Sequence, residues 1–577
     1  MKYSGARILI EALIEQGVDT VFGYPGAAVL FIYDELYRRR DRIRHVLVSH
    51  EQHAAHAADG YARATGKPGV CIATSGPGAT NLVTGIAAAM MDSSPLVAIT
   101  GNVSTSLLGK DSFQEVDIAG VTMPIVKHNW IVKDVNELAE VVHTAFIVAK
   151  SGRPGPVLID IPKDITAEQG GQDVLGTQFQ RLAAKGKQWL WSTADVEQAA
   201  ALITRAKRPA IYAGGGVVIA DASEEIVRFA EHINAPVALS LMGIGAFPRE
   251  HPLCTGLLGM HGTIASNKVI QTTDLLIAVG ARFSDRVTSD IGTFAGKANV
   301  LHFDIDPAEI NKNIPTCGHV VGDIKETLAA TQARLTKITR NGWGGDIEAW
   351  KNEKPASRCC NRKTLHPCFI IEETEAYLEK RAKTGKITGM AKEDLRNVIA
   401  VTDVGQHQMW TAQFFKADAP RSFITSGGLG AMGFGLGAAV GAKIARPDKQ
   451  VVLFTGDGSF RMNCGEMATL SAYNLPILIV VFNNHVLGMV RQWQTLFHEG
   501  RYSETTLERA PDFVKLADAY GVAGFRAQSE DEFLFALDQA GQELCKGKAA
   551  LIEVVIDPDE KVLPMVPGGK PIHEQLL

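Results

Sequence analysis

Short apolar runs rich in β-branched residues alternate with longer stretches of helical periodicity along almost the whole chain. The clearest short runs are residues 46–48, 69–73, 97–100 and 157–160, and amphipathic stretches long enough for crossover helices lie between them. This alternation predicts parallel sheets flanked by helices, an α/β fold of doubly wound type. Two stretches break the rhythm. One, at about 165 to 192, is polar and Gly/Gln-rich, and the other, at about 337 to 365, contains Asn341-Gly342-Trp343-Gly344-Gly345 and Lys354-Pro355-Ala356-Ser357. Read as linkers, they divide the chain into α/β units at 1–165, 190–335 and 366–550, with a proline-rich tail at 551–577.

A chain of 577 residues is too long for one hydrophobic core, which agrees with three units. Hydrophobic residues make up 46% and charged residues 21%, an ordinary globular balance. The formal charge is −5 and no basic stripe stands out, so nucleic acid and anionic membrane are not expected partners. The N-terminus runs straight into amphipathic sequence without a signal or transit pattern. The longest apolar run, residues 475–482, is far too short to span a bilayer. Eight scattered cysteines include one adjacent pair, Cys359-Cys360, and no CxxC pair. They read as thiols of a reducing, cytoplasmic protein rather than a disulfide frame or zinc site.

Candidate chemistry begins in the third unit. An apolar strand at 451–455 runs into Gly456-Asp457-Gly458-Ser459-Phe460, and a second, at 477–482, ends in Asn483-Asn484. Asp457 and Asn484 are one strand-helix-strand crossover apart, which sets both strand ends side by side at one rim of the sheet. Magnesium takes oxygen ligands from one or two side chains plus phosphate, and glycines let backbone amides approach a diphosphate. Each dipeptide alone reads as a tight turn or an Asn-rich loop; together, each closing an apolar strand, they read as a metal–diphosphate site. In the first unit, Glu51 follows the strand at 46–48 at a strand-to-helix junction. By itself it is a first-turn glutamate favoured by the helix dipole.

The GDG…NN pattern resembles the signature of thiamine-diphosphate enzymes. The resemblance implies that Asp457, the Asn484 side chain and the Val486 carbonyl hold Mg2+, with Leu487, Gly488 and Met489 beside the diphosphate. It also implies Glu51 as the carboxylate that activates the cofactor from the pyrimidine side, and Met432 as the apolar wedge between the two rings. The fold implied is three doubly wound domains, two cofactor-binding domains around a central FAD-type domain. The active site would lie between the first unit of one subunit and the third of another, so a homodimer or homotetramer is expected.

Further segments resemble acetohydroxyacid synthase (acetolactate synthase), the catalytic subunit of the FAD-containing biosynthetic type. These are Phe22-Gly23-Tyr24-Pro25-Gly26, Ala73-Thr74-Ser75-Gly76-Pro77-Gly78-Ala79-Thr80-Asn81, Phe113-Gln114-Glu115-Val116-Asp117, Gly152-Arg153-Pro154-Gly155-Pro156, Gly280-Ala281-Arg282-Phe283-Ser284-Asp285-Arg286, Asp403-Val404-Gly405-Gln406-His407 and Gly488-Met489-Val490-Arg491-Gln492-Trp493. The likeness runs from Gly5 to the tail. That family decarboxylates pyruvate to a bound hydroxyethyl carbanion and adds it to a second pyruvate, giving 2-acetolactate, or to 2-oxobutyrate, giving 2-aceto-2-hydroxybutyrate, early in branched-chain amino-acid (isoleucine and valine) biosynthesis. The resemblance implies that Tyr24, Pro25, Pro77, Asn81, Gln114, Gly405, Gln406, His407, Gly430, Gly456, Gly458 and Ser459 surround thiamine diphosphate. Arg286 would hold the acceptor carboxylate, for which a bidentate guanidinium is suited, and Trp493 would form the wall favouring the extra methyl of 2-oxobutyrate.

Phe113, Gln114, Lys163, Met260 and Val29 match positions around the substrate entrance, although on the residues alone Phe113, Met260 and Val29 read as core and Lys163 as a solvated charge. The middle unit has a strand ending in Gly214-Gly215-Gly216 and another ending in Asp304-Ile305-Asp306, but Ile219 stands where a GxGxxG motif needs its last glycine. By resemblance this unit holds FAD near Arg153, Gly214, Gly215, Gly216, Arg282, Asp304 and Asp323, in a structural role because the reaction is not a redox one. Ser284, Gly437, Arg461 and Gly465 depart from the family's usual residues. A pyruvate oxidase or another flavin-containing thiamine carboligase is the alternative, and the residues leave open whether a small regulatory subunit binds.

Overall fold

The computed structural model describes residues 2–171, 191–353, 365–383 and 397–577, apart from 297, 340, 508 and 510. The parts of the two expected linkers at 172–190 and 354–364, with Cys359 and Cys360, lie outside the described residues. The alternating pattern folds as three six-stranded, all-parallel sheets flanked by helices. The first sheet has the order Arg44–Leu47, Thr20–Gly23, Gly69–Ala73, Leu96–Asn102, Pro156–Pro162, His128–Ile131. The third repeats that order with Phe423–Ile424, Val398–Thr402, Gln450–Gly456, Ile477–Asn483, Ala550–Val555 and Ala523–Ala527. The middle sheet runs Cys254–Leu257, Val237–Leu239, Pro209–Ala213, Leu275–Val279, Asn299–Asp304, Gly318–Val321. Its chain grows outwards from a central pair in both directions, the strand order of dinucleotide-binding sheets. In each sheet the order reverses beside the first strand, and there the carboxyl strand ends open a crevice suited to a ligand.

The first and third units share one core. Helix Glu51–Thr65 lies on helix Gly435–Ala445, and residues such as Ala54, Ala57, Ala58, Ala438 and Ala442 are fully buried between the sheets. The backbones approach so closely that a Cβ at Gly441 would lie 1.8 Å from the Ala57 carbonyl, and one at Gly437 would lie 3.0 Å from Cβ of His56. Gly437 thus has a packing reason.

Three expected boundaries need correction. The cut at 165 falls inside helix Lys163–Ala167, after which strand Gln169–Gly171 pairs antiparallel with Lys2–Ser4. The Gly-rich stretch from 341 is folded: Trp343 is buried, donates its indole N–H to the Pro209 carbonyl at 3.1 Å and lies under the Arg208 guanidinium, and helix Asp346–Asn352 follows. Glycines there suggested a linker because the apolar anchors are tryptophans set among them. The cut at 550 falls at the start of strand Ala550–Val555, so the tail begins after it. That tail returns to the middle unit, where Ile572 is buried and its carbonyl accepts from the Asn267 amide at 2.9 Å. The six described cysteines are free thiols, Cys71 and Cys254 buried among them. No helix among the described residues is long and apolar enough to cross a membrane.

Candidate active site

The third sheet's switch point lies between strands Val398–Thr402 and Gln450–Gly456. Asp457 opens the helix Asp457–Asn463 at the end of the second of these, and is 2% exposed. Its Oδ1 accepts the Gly458 N–H at 2.9 Å, while Oδ2 is buried with no hydrogen-bond partner. Burial pushes the carboxyl up to about 7 and outweighs the hydrogen bond from the Gly458 backbone. An orphaned anionic oxygen in a dry site is costly unless a cation meets it. The next strand, Ile477–Asn483, delivers Asn484 to the same rim, with Asn484 Oδ1 accepting the Val486 N–H at 3.3 Å. Among the described residues no three His, Cys, Asp or Glu side chains converge as a metal cluster. A set of one carboxylate, one amide and one carbonyl needs none, so these residues fit a magnesium bound mainly through phosphate oxygens.

Around this rim the chain leaves room only for backbone. A Cβ at Gly458 would lie 2.6 Å from Leu487, and one at Gly488 would lie 2.0 Å from Gln406 Oε1. Gln406 donates to Gln492 at 2.9 Å and to the Glu560 carbonyl at 2.8 Å, and Asn484 donates to Gln406 at 3.4 Å. Ser459 donates to the Val404 carbonyl at 2.8 Å. His407 is fully buried beside Gly405 and Gly456, and burial holds its imidazole neutral, down at about 3. Gly430 has φ +68°, and the Gly458 position lies close to the Met432 methyl.

A second group sits at the carboxyl edge of the first sheet. Glu51 opens its helix, capped by His50 Nδ1, and its Oε2 accepts from the Asn81 amide at 2.9 Å. Oε1 faces Gly78 in the turn that carries Pro77, and Gln114 (φ +60°) lies against Gly76. Tyr24 is exposed at the switch point, next to Pro25. Val29 is buried against Gly101, as its apolar character suggests, but Phe113 is 89% exposed rather than core. Lys163 begins the helix Lys163–Ala167 at the end of strand Pro156–Pro162.

A cavity of about 750 Å³ lies between the middle and third units and the Met91–Ser93 turn of the first. Its lining includes Gly214, Gly215, Gly216, Arg153, Arg282, Asp304 and Asp323, together with Met260, Arg286, Gly405, Gly430, Met489 and Trp493. Its volume suits a large organic cofactor. Gly214 and Gly216 sit at the middle sheet's switch point and pack directly on Gly280, so close that a Cβ on either would clash with it. Ile219, the residue that breaks the fingerprint, ends the short helix Gly215–Ile219 and lines the same wall. Arg153 pairs with Glu309 at 2.8 Å. Arg286 is two-thirds exposed, and its carbonyl accepts the Met260 N–H at 2.8 Å while the Met260 carbonyl accepts from Val566 of the tail. The lining contains none of Tyr24, Pro25, Val29, Glu51, Pro77, Asn81, Phe113, Gln114 or Lys163. Nor does it contain Met432, Asp457, Asn484 or Val486, so the lining takes in only part of the predicted site.

Sequence reasoning did not single out the residues that hold these groups in place. Asp403 is buried and accepts from the backbone of Val404, Gly433 and Gly435 and from Asn463. Asp92, on the cavity wall, accepts from Arg63 at 2.9 Å and from the Gly428 N–H at 2.6 Å. Asp403 stands at a strand end within a quoted segment, the one signal available for it.

Three family models match in order: the thiamine pyrophosphate enzyme N-terminal TPP binding domain over residues 3–121, the central domain over 196–331 and the C-terminal TPP binding domain over 403–554. The probable acetolactate synthase large subunit of Methanocaldococcus jannaschii is 47% identical, over 98% of this chain and 94% of its own length. The acetolactate synthase isozyme 2 large subunit of Escherichia coli is 44% identical over 99% of both chains. The acetolactate synthase large subunit of Corynebacterium glutamicum is 45% identical over 98% of this chain and 89% of its own.

Proposed function

The chain belongs to the acetolactate synthase large-subunit family of thiamine-diphosphate enzymes, and from that premise we propose how its two groups of site residues share the reaction. It is an enzyme of thiamine-diphosphate-dependent acetolactate synthesis, in which two 2-oxo acids are joined with loss of one CO2. When bound, thiamine diphosphate supplies a nucleophilic carbon and a sink for the electrons released with CO2. Asp457, Asn484 and the Val486 carbonyl would hold magnesium, a reading supported by the orphaned Asp457 Oδ2. The Gly458 and Gly488 positions leave backbone open to the diphosphate. Glu51 holds or releases a proton on the pyrimidine side, its carboxylate oriented by Asn81.

In the cavity, Arg286, two-thirds exposed and 3.8 Å from the Asp285 carboxylate, would offer its guanidinium to the carboxylate of the second 2-oxo acid. Trp493 and Met489 give that acid an apolar wall. One added methyl there favours 2-oxobutyrate over pyruvate by about 1–3 kcal/mol. FAD would occupy the part lined by Gly214–Gly216, Asp304 and Asp323. The strand order of the middle sheet supports this more than any single motif.

The observation that carries the reading is the orphaned Asp457 Oδ2 beside Asn484, at a rim that Gly458 and Gly488 leave open. A second copy of the chain would bring its Glu51 group to that rim, so the working form is at least a homodimer. The large-subunit names of the relatives support a small regulatory partner. Product analysis tests the chemistry, using purified protein with thiamine diphosphate, magnesium and FAD, given pyruvate and then pyruvate with 2-oxobutyrate. Acetolactate, displaced by 2-aceto-2-hydroxybutyrate in the mixture, is expected. Acetate with peroxide would instead make the acceptor roles of Arg286 and Trp493 wrong.

A further inference from the structure

Glu466 lies in the turn after the metal-site helix, and its carboxylate is completely buried. None of its contacts serves the metal rim. Oε1 accepts the Ser49 backbone N–H at 2.7 Å and the His53 Nδ1 hydrogen at 3.0 Å, and Oε2 accepts the Thr469 hydroxyl at 2.7 Å. Ser49 and His53 flank Glu51 on either side. The same third-unit segment holds this strand-to-helix junction at three further points. The Tyr473 hydroxyl accepts the Leu47 N–H at 2.7 Å, Thr469 donates to the Leu47 carbonyl at 3.3 Å, and Ser49 donates its hydroxyl to the Gly465 carbonyl at 2.9 Å. Gly465 presents no side chain here, and a Cβ on it would stand 3.9 Å from that of Ser49.

We propose that Glu466 is a positioning residue for Glu51: by binding Ser49 and His53 together it fixes the helix start from which the Glu51 carboxylate projects. A buried carboxylate shared by two donors on one segment and one on its own has a single low-energy arrangement, so it sets position more sharply than apolar packing does. The tie from Asn81 orients the end of the Glu51 side chain, whereas Glu466 orients its root. This inference rests on the reading of Glu51 as the activating carboxylate. Because the metal rim is held through other contacts, loosening Glu466 changes how well the cofactor is activated more than how well it is retained.

The test measures exchange of the thiazolium C2 hydrogen of bound thiamine diphosphate with deuterium, with cofactor affinity from fluorescence titration. Wild type is compared with Glu51→Gln, Glu466→Ala, Glu466→Gln and His53→Ala at saturating cofactor and magnesium. Glu466→Ala should slow exchange on the order of ten- to hundred-fold, as expected for a misplaced group, with affinity changed far less. Glu466→Gln retains an acceptor for Ser49 and His53 and should recover most of the rate. Wild-type exchange in Glu466→Ala, or in His53→Ala should the first variant not fold, would overturn the proposal provided that Glu51→Gln exchanges slowly. Fast exchange in Glu51→Gln would overturn the reading of Glu51 itself. A Glu466→Gln variant as slow as Glu466→Ala would also overturn positioning, since geometry alone would not then suffice.

Discussion

The carboxylate of Asp403 accepts the backbone N–H of Gly433 at 2.8 Å, and so ties the end of strand Val398–Thr402 to the turn that carries Met432. The same carboxylate accepts from Gly435 and from the Asn463 amide, joining the Met432 turn to helix Asp457–Asn463. Burial raises its carboxyl, and these donors oppose that rise. Asp403→Ala would strand several buried donors and should destabilise the cofactor-free protein by about 2–4 kcal/mol. Denaturant unfolding checks this, and an unchanged midpoint would show that the donors find other partners.

Gly437 meets His56 where helices Gly435–Ala445 and Glu51–Thr65 cross. A Cβ there, 3.0 Å from that of His56, must push the helices apart. Gly437→Ala is expected to cost about 1–3 kcal/mol, the usual range for overpacking. Thermal unfolding reads it directly, and wild-type stability would mean that the crossing is compliant.

His56, fully buried against the Phe434 ring, is held neutral by desolvation, with its folded value lowered from 6.5 to about 3. The lowered value fixes the sign. Its stabilising contribution is complete above the unfolded value of 6.5 and is lost as pH falls toward 3. Between those limits stability should drop by about 1.4 kcal/mol per pH unit on account of this residue. His56→Gln should make the acid limb of a stability–pH curve shallower by one proton. An identical limb would show that His56 is not among the groups that charge on unfolding.

Arg286→Ala should spare CO2 release from pyruvate but sharply reduce capture of the second 2-oxo acid. Trp493→Ala should lower the 2-oxobutyrate preference by roughly ten- to hundred-fold, the worth of one methyl contact. Competition between the two acceptors, followed by quantifying both products, separates these effects. Unchanged product yield in Arg286→Ala would remove Arg286 from acceptor binding, and an unchanged product ratio in Trp493→Ala would remove Trp493.

The three sheets and the strand ends that carry Asp457 and Asn484 were legible because each is written locally. Apolar runs mark the strands, and Asp457 and Asn484 each stand directly after one. What the sequence concealed is held over long separations. Glu466 meets Ser49 across 417 positions, and Asp92 meets Gly428 across 336. No pattern of polar residues announces such pairs. Composition misled where Trp343 anchors a glycine-rich stretch that resembles a linker. Ile219 breaks the glycine fingerprint of the middle unit, and only the folded chain reveals that its strand order is that of dinucleotide-binding sheets.

Complementation between chains tests the division of the site most directly. Glu51→Gln chains and Asp457→Asn chains, each inactive alone, are to be co-refolded or co-expressed and assayed for acetolactate. If Glu51 of one copy works with Asp457 of another, a mixed dimer has one intact site, and random pairing should restore about a quarter of wild-type activity. A mixture as inactive as either parent would contradict the account and return both residues to a site within one chain.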